Sequence, residues 1–132
     1  MSAPKGFERK IYQTFEIGND GKEVVRDFKI VYGELTMPHG TNFDEIPPVH
    51  RPIRSESQVV AIPEIAEVSW HSADGRKHNI SVPVRSLITD LSVFYGFRFF
   101  FVDDRLDVYL ISAKVPKTSG YTDTVATKVF SK

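Results

Sequence analysis

Four histidines, His39, His50, His71 and His78, are the first residues whose chemistry has to be weighed. Imidazole is both a metal ligand and the side chain that titrates nearest neutrality. An Asp74-Gly75 pair lies between His71 and His78. If those two residues form a two-residue hairpin loop, antiparallel register sets Ala73 opposite Arg76, Ser72 opposite Lys77 and His71 opposite His78. Two imidazoles on one face could share a zinc ion, but a site needs a third and fourth ligand. Nothing in the sequence brings His39 or His50 to them. The expectation is a pair of exposed cross-strand histidines and no metal. Such a hairpin should be less favourable below about pH 6.5, where like charges would face each other.

The other reactive groups point the same way. Ser55, Ser57 and Ser72 lie near histidines in sequence, yet neighbours in an alternating strand face opposite ways. Neither a G-x-S-x-G turn nor any cysteine is present. Asp103-Asp104 is the obvious carboxylate pair, but Asp is a common turn former and glycosidase carboxylates belong on facing walls of a cleft. There is no phosphate-binding loop, dinucleotide fingerprint or calcium-loop pattern. Asn79-Ile80-Ser81 matches a glycosylation sequon, which matters only in a eukaryotic secretory pathway. The expectation is a protein that is not an enzyme and uses no cofactor.

The elements that would position these residues read as β. The chain has 132 residues, ten Phe and five Tyr, with 41% hydrophobic and 26% charged residues. This suits one globular domain over residues 1–132, and the aromatics favour strands. Lys plus Arg and Asp plus Glu both number 17, so no general electrostatic pull toward nucleic acid exists. No apolar run approaches the roughly 20 residues that span a bilayer, and Met1-Ser2-Ala3-Pro4-Lys5-Gly6 has no apolar leader core.

Along the chain, Ile11–Ile17 and Glu23–Met37 read as two strands joined by Gly18-Asn19-Asp20-Gly21, a first hairpin. Phe28, Ile30 and Tyr32 alternate with Asp27, Lys29 and Val31 and predict one core face. Residues 38–57 contain four prolines and show no period, so a long connection is expected there. An apolar stretch over Gln58–His71, interrupted by Pro63, leads into the Asp-Gly hairpin and a returning strand over Lys77–Val84. Val84, Leu87, Ile88 and Leu91 predict one or two helical turns. Phe97–Val102 and Leu106–Val115 form a third, central hairpin around Asp103-Asp104-Arg105, and Tyr121–Phe130 supplies a last strand at a sheet edge. The expected fold is an all-β antiparallel sandwich or curled sheet of about seven or eight strands, with at most one short helix.

Three segments carry a resemblance: Ile62-Pro63-Glu64-Ile65-Ala66-Glu67-Val68-Ser69-Trp70, then Asp74-Gly75-Arg76-Lys77-His78, then Val82-Pro83-Val84-Arg85. Together they resemble small bacterial periplasmic lipoproteins, several families of which are immunity proteins that neutralise toxic effectors delivered by type VI secretion. The resemblance covers about a fifth of the chain. It implies a protein partner and a role as a toxin inhibitor that occludes an active site without chemistry of its own. The chain departs from the pattern in lacking a leader and a lipobox cysteine. The expected compartment is the periplasm, with a lipid anchor in the full-length form, and the alternative is the cytoplasm.

The expected partner-binding residues are Phe43, Asp44, Glu45, Arg51 and Arg54 in the long loop, and Asp74, Arg76, Lys77 and His78 at the hairpin tip, because exposed aromatic and arginine anchors dominate interfaces. A second reading is a small-ligand binder whose sheets enclose a pocket lined by Phe94, Tyr95, Phe97, Phe99 and Phe101. A third is a structural or assembly component of a phage or secretion apparatus.

Overall fold

The computed structural model describes residues 7–38, 45–114 and 123–132. Within them the chain forms β1 (Ile11–Asn19), β2 (Val25–Tyr32), β3 (Leu35–Met37), β4 (Glu45–Ile46), β5 (Pro52–Val60), β6 (Ala66–His71), β7 (Lys77–Val82), a single 3-10 turn over Val84–Leu87, β8 (Phe94–Val102), β9 (Arg105–Ala113) and β10 (Thr124–Ser131). One sheet has the order β10-β9-β8-β1-β5. The other has the order β3-β2-β6-β7, with β4 also paired to β2. The fold is the expected all-β sandwich. Its ten described strands exceed the seven or eight expected because two short pieces and β5 carry no sequence signal.

Gly18-Asn19-Asp20-Gly21 does not close a hairpin. β1 is held antiparallel by β5 on one side and parallel by β8 on the other, so neither edge is free for β2. The four residues instead carry the chain from one sheet to the other. Buried Asn19 fixes this crossover with its whole side-chain amide. Its Nδ2 donates to the Glu23 carbonyl at 2.8 Å and to the Ile46 carbonyl at 2.9 Å, and its Oδ1 accepts from Gly21 N–H at 2.9 Å. The expected strand Glu23–Met37 is two strands, β2 and β3, which form a hairpin of their own across Gly33-Glu34.

The expected connection over 38–57 also changes character, since β5 begins at Pro52 and β4 lies at 45–46. Residues 39–44, and with them His39, Phe43 and Asp44, lie outside the described residues. The central hairpin is as expected: Val102 pairs with Arg105 across Asp103-Asp104, and β8 is the middle strand of its sheet. β10 sits at an edge, and one helical turn follows Pro83.

The core is aromatic because β8 delivers Phe97, Phe99 and Phe101 to one face at a period of two, against Phe28, Ile30 and Tyr32 of β2 and Trp70 of β6. Phe15 and Tyr32 meet edge to face at 4.8 Å, and Phe101 lies 5.1 Å from Trp70 and 5.7 Å from Phe28. Each such ring contributes about 1.5–3 kcal/mol by burial. The Tyr32 hydroxyl donates to Gln13 Oε1 at 2.7 Å, and Gln13 Nε2 donates to the Val60 carbonyl at 2.8 Å, so the polar atoms of this buried pair are bonded. Burial pushes the Tyr32 phenol far above its ordinary range, with Arg85 acting weakly in the opposite direction.

Candidate protein-binding end

The strand directions gather one set of connections at a single end of the sandwich. β1, β6, β8 and β10 run toward it, and β2, β5, β7 and β9 leave from it. The end therefore contains the crossover after Asn19, the segment entering β5, and the tips of the β6–β7 and β8–β9 hairpins. Of the residues predicted to bind a partner, Glu45, Arg51, Asp74, Arg76 and Lys77 come here, and all five are exposed.

The β6–β7 tip differs from the two-residue loop expected. Trp70 pairs with His78 and His71 with Lys77, one step away from the predicted register. Ser72 N–H donates to the Arg76 carbonyl at 3.0 Å and Gly75 N–H to the Ser72 carbonyl at 2.9 Å. The loop is thus three residues long, with Gly75 at φ 85° where an L side chain would be strained. His71 and His78 consequently do not oppose each other. His78 stacks on Trp70 at 5.0 Å, while His71 Nδ1 lies 3.5 Å from Asp27 Oδ2. The like-charge penalty expected below pH 6.5 has no basis in this register.

Asp74 organises the tip. It accepts from Ser72 Oγ at 2.5 Å, from Arg76 N–H at 3.1 Å and from Arg76 Nε at 2.9 Å. The Ser72 bond first, then the two from Arg76, hold its carboxyl well below the usual range. Ser72 Oγ also lies 2.9 Å from His78 Nε2. A hydroxyl has one proton, and the carboxylate takes it, so the imidazole must donate to the serine. That polarity is the reverse of nucleophile activation, in which the imidazole removes the serine proton. The trio holds the loop together.

The neighbouring loops are braced as well. His50 Nδ1 lies 2.9 Å from Asp20 Oδ1, and the main-chain N–H of His50 donates to the Asn19 carbonyl at 3.1 Å. Glu45 lies 3.8 Å from Arg26. Asp103 Oδ1 accepts from the N–H groups of Lys22 and Glu23, each at 3.1 Å. An open cavity of about 520 Å³ separates the two hairpin tips, lined by Glu23, Ser72, Ala73, Asp74, Asp103 and Asp104. Asp20, Glu23, His50 and Asp103 also belong to this end, and the sequence does not mark them as binding residues. The signal for Asp20, Glu23 and His50 is the crossover after Asn19, and Asp103 joins them from the β8–β9 turn.

Arg54 does not join the group. It pairs with Ile17 within β5, on the inner side, and its guanidinium lies 3.5 Å from Glu56. The proposed aromatic pocket is core: Phe94, Phe97, Phe99 and Phe101 are buried against one another and their neighbours. Tyr95 alone turns outward, as the extra residue of a bulge between Phe94 and Gly96, onto an open cavity of about 420 Å³ on the outer face. Among the described residues no group of three or more His, Asp or Glu side chains could hold a metal ion. No helix among them is long and apolar enough to cross a membrane. No protein family, curated protein or solved structure matches the chain.

Proposed function

We propose that this protein is a non-catalytic module that binds a protein partner through the loop-bearing end of the sandwich. The observation that carries the reading is the convergence there of exposed Glu45, Arg51, Asp74, Arg76 and Lys77 on loops fixed by buried Asn19, by the Ser72-Asp74-His78 trio and by Asp103. Fixed loops lose little conformational freedom on binding, which favours affinity. The Ser72–His78 contact has the wrong proton polarity for a nucleophile, which weighs against a hydrolase.

In its most specific form the partner is a toxic effector whose active site this end covers, as an immunity protein of type VI secretion working in the periplasm. That form rests on the resemblance around Ile62–Trp70 and Asp74–His78, and the mixed-charge end supports it as a surface able to meet a charged active-site rim.

The test is affinity capture of the tagged protein from a lysate of its source organism, run beside an Arg51→Ala/Lys77→Ala variant. One stoichiometric partner should be retained by the unaltered chain and lost by the variant, with the melting temperature of the two unchanged. Equal capture by both would move the interface off this end, and an empty eluate would overturn the reading.

A further inference from the structure

Among the described residues the sandwich has five edge strands, and they are not equally protected. β3 and β4 are three and two residues long, too short to template another strand. β5 begins with Pro52 and turns the charged Arg54 and Glu56 toward the inner side, an arrangement that resists pairing. β7 has Lys77 at its first position and stops at Pro83. β10 has eight residues, no proline and no short cut-off. Its one lysine, Lys128, does not guard the edge, because the ammonium turns back across the sheet to lie 3.4 Å from buried Asp107 and over the Tyr109 ring at 5.9 Å.

The register shows which backbone groups of β10 are open. Lys114 N–H donates to the Asp123 carbonyl at 3.0 Å, one step before the Thr124–Ala113 pair. Alternation along an antiparallel ladder then makes Val125–Ser112 and Thr127–Leu110 the bonded pairs. The N–H and C=O groups of Thr124, Ala126 and Lys128 point away from β9. In agreement, Ala113 N–H, opposite Thr124, is turned to the Val93 carbonyl on the far side at 2.7 Å. The stretch Thr124–Lys128 is regular, and the bulge in β10 lies beyond it, between Lys128 and Phe130.

We propose that β10 pairs antiparallel with β10 of a second copy of this chain, about a two-fold axis through Ala126. The argument for a second copy is self-complementarity. The axis sets the small Ala126 against itself, the one residue that must fit its own image. It sets Val125, 46% exposed in the single chain, against Thr127 of the second copy, two β-branched side chains that pair well across strands. It sets Lys128 against Thr124, so the two lysines stand about 14 Å apart, beyond the Debye length at physiological salt. The two five-stranded sheets become one continuous ten-stranded sheet. The interface is small and polar in its backbone bonds, so the dimer is a weak one.

The test is sedimentation analysis of the whole chain from micromolar to millimolar concentration. The expected result is a reversible monomer–dimer equilibrium. Ala126→Pro removes only an N–H that faces away from β9, so the β9–β10 ladder survives, but both copies lose a bond at the axis. The dissociation constant should rise roughly thirtyfold or more for two lost bonds. Val125→Asp, a change at an exposed side chain with the backbone untouched, should also shift the equilibrium to monomer, with circular dichroism unchanged in both variants. A chain that stays monomeric throughout the series would overturn the proposal, as would a dimer whose dissociation constant is the same in both variants. Neither result bears on partner capture by the loop-bearing end, which is read separately.

Discussion

The indole Nε1 of Trp70 donates to the main-chain carbonyl of Asp103 across a distance of 2.8 Å. Trp70 lies on β6 of one sheet and Asp103 at the β8–β9 turn of the other, so this bond fastens the two hairpin tips together at the end proposed to bind. The Asp103 carboxylate extends the fastening to Lys22 and Glu23, and a Cβ at Gly21 would stand only 2.7 Å from Asp103 N. Three segments far apart in sequence are therefore closed around one turn.

Trp70→Phe keeps most of the buried ring and removes the N–H. The Asp103 carbonyl loses its donor, at a cost of about 1–3 kcal/mol. The urea midpoint should fall with the denaturant slope unchanged, since the surface exposed on unfolding is the same. Amide exchange at Lys22 and Glu23 should also quicken. A midpoint equal to that of the unaltered chain would mean that the bond fastens nothing.

The parts of the fold that could be read in the sequence are those with a hydrophobic period and an unambiguous turn. β8 and β9 combine an apolar run, a two-residue Asp103-Asp104 turn and an alternating return, and the hairpin forms as the pattern says. β5 was hidden because its inner row, Arg54, Glu56 and Gln58, is as polar as its outer row, Ser55 and Ser57, so no alternation marks it. An edge strand with inward charges looks like a loop. Asp74-Gly75 identified a hairpin but not its length, because the same dipeptide serves a two-residue loop and a three-residue loop with Gly in the left-handed region. That one residue decides whether His78 meets His71 or Trp70. The residues near Gly18–Gly21 that are proposed to bind are out of reach for a different reason: nothing local says that both edges of β1 are already taken, by partners 34 to 82 residues further on.

Asp107 makes stability depend on pH in a stated direction. It is 2% exposed, with Ser131 Oγ at 2.6 Å, Arg105 Nε at 3.1 Å and Lys128 Nζ at 3.4 Å. Burial alone would raise its pKa, but the hydrogen bonds from Ser131 and Arg105 and the two cationic neighbours outweigh it and hold the carboxyl below its ordinary value. The native state then binds fewer protons than the unfolded chain through the carboxylate range. The contribution is present above the unfolded pKa and is lost as pH falls toward the lower, folded one. Asp107→Asn should be less stable than the unaltered chain near pH 7, by about 1–3 kcal/mol, and the gap should narrow toward about pH 3. Urea titrations at the two pH values read both numbers, and a gap of equal size at each would show that ionisation of Asp107 contributes nothing.

Two glycines are required for different reasons, and alanine separates them. At Gly75 a Cβ meets nothing within 4 Å, so Gly75→Ala suffers only the left-handed backbone, a cost of about 1–2 kcal/mol. At Gly96 a Cβ would overlap the Thr14 carbonyl oxygen and crowd Thr14 C at 2.7 Å, on the parallel seam between β1 and β8. Backbone cannot rotate aside as a side chain does, so β1 and β8 must part at the centre of their sheet. Gly96→Ala should lose several times the stability that Gly75→Ala loses, or fail to fold. Chemical denaturation of the two variants side by side makes the comparison. Equal losses would mean that the β1–β8 seam is loose enough to admit a methyl group, and that the parallel pairing on which the sheet order depends is weaker than its register implies.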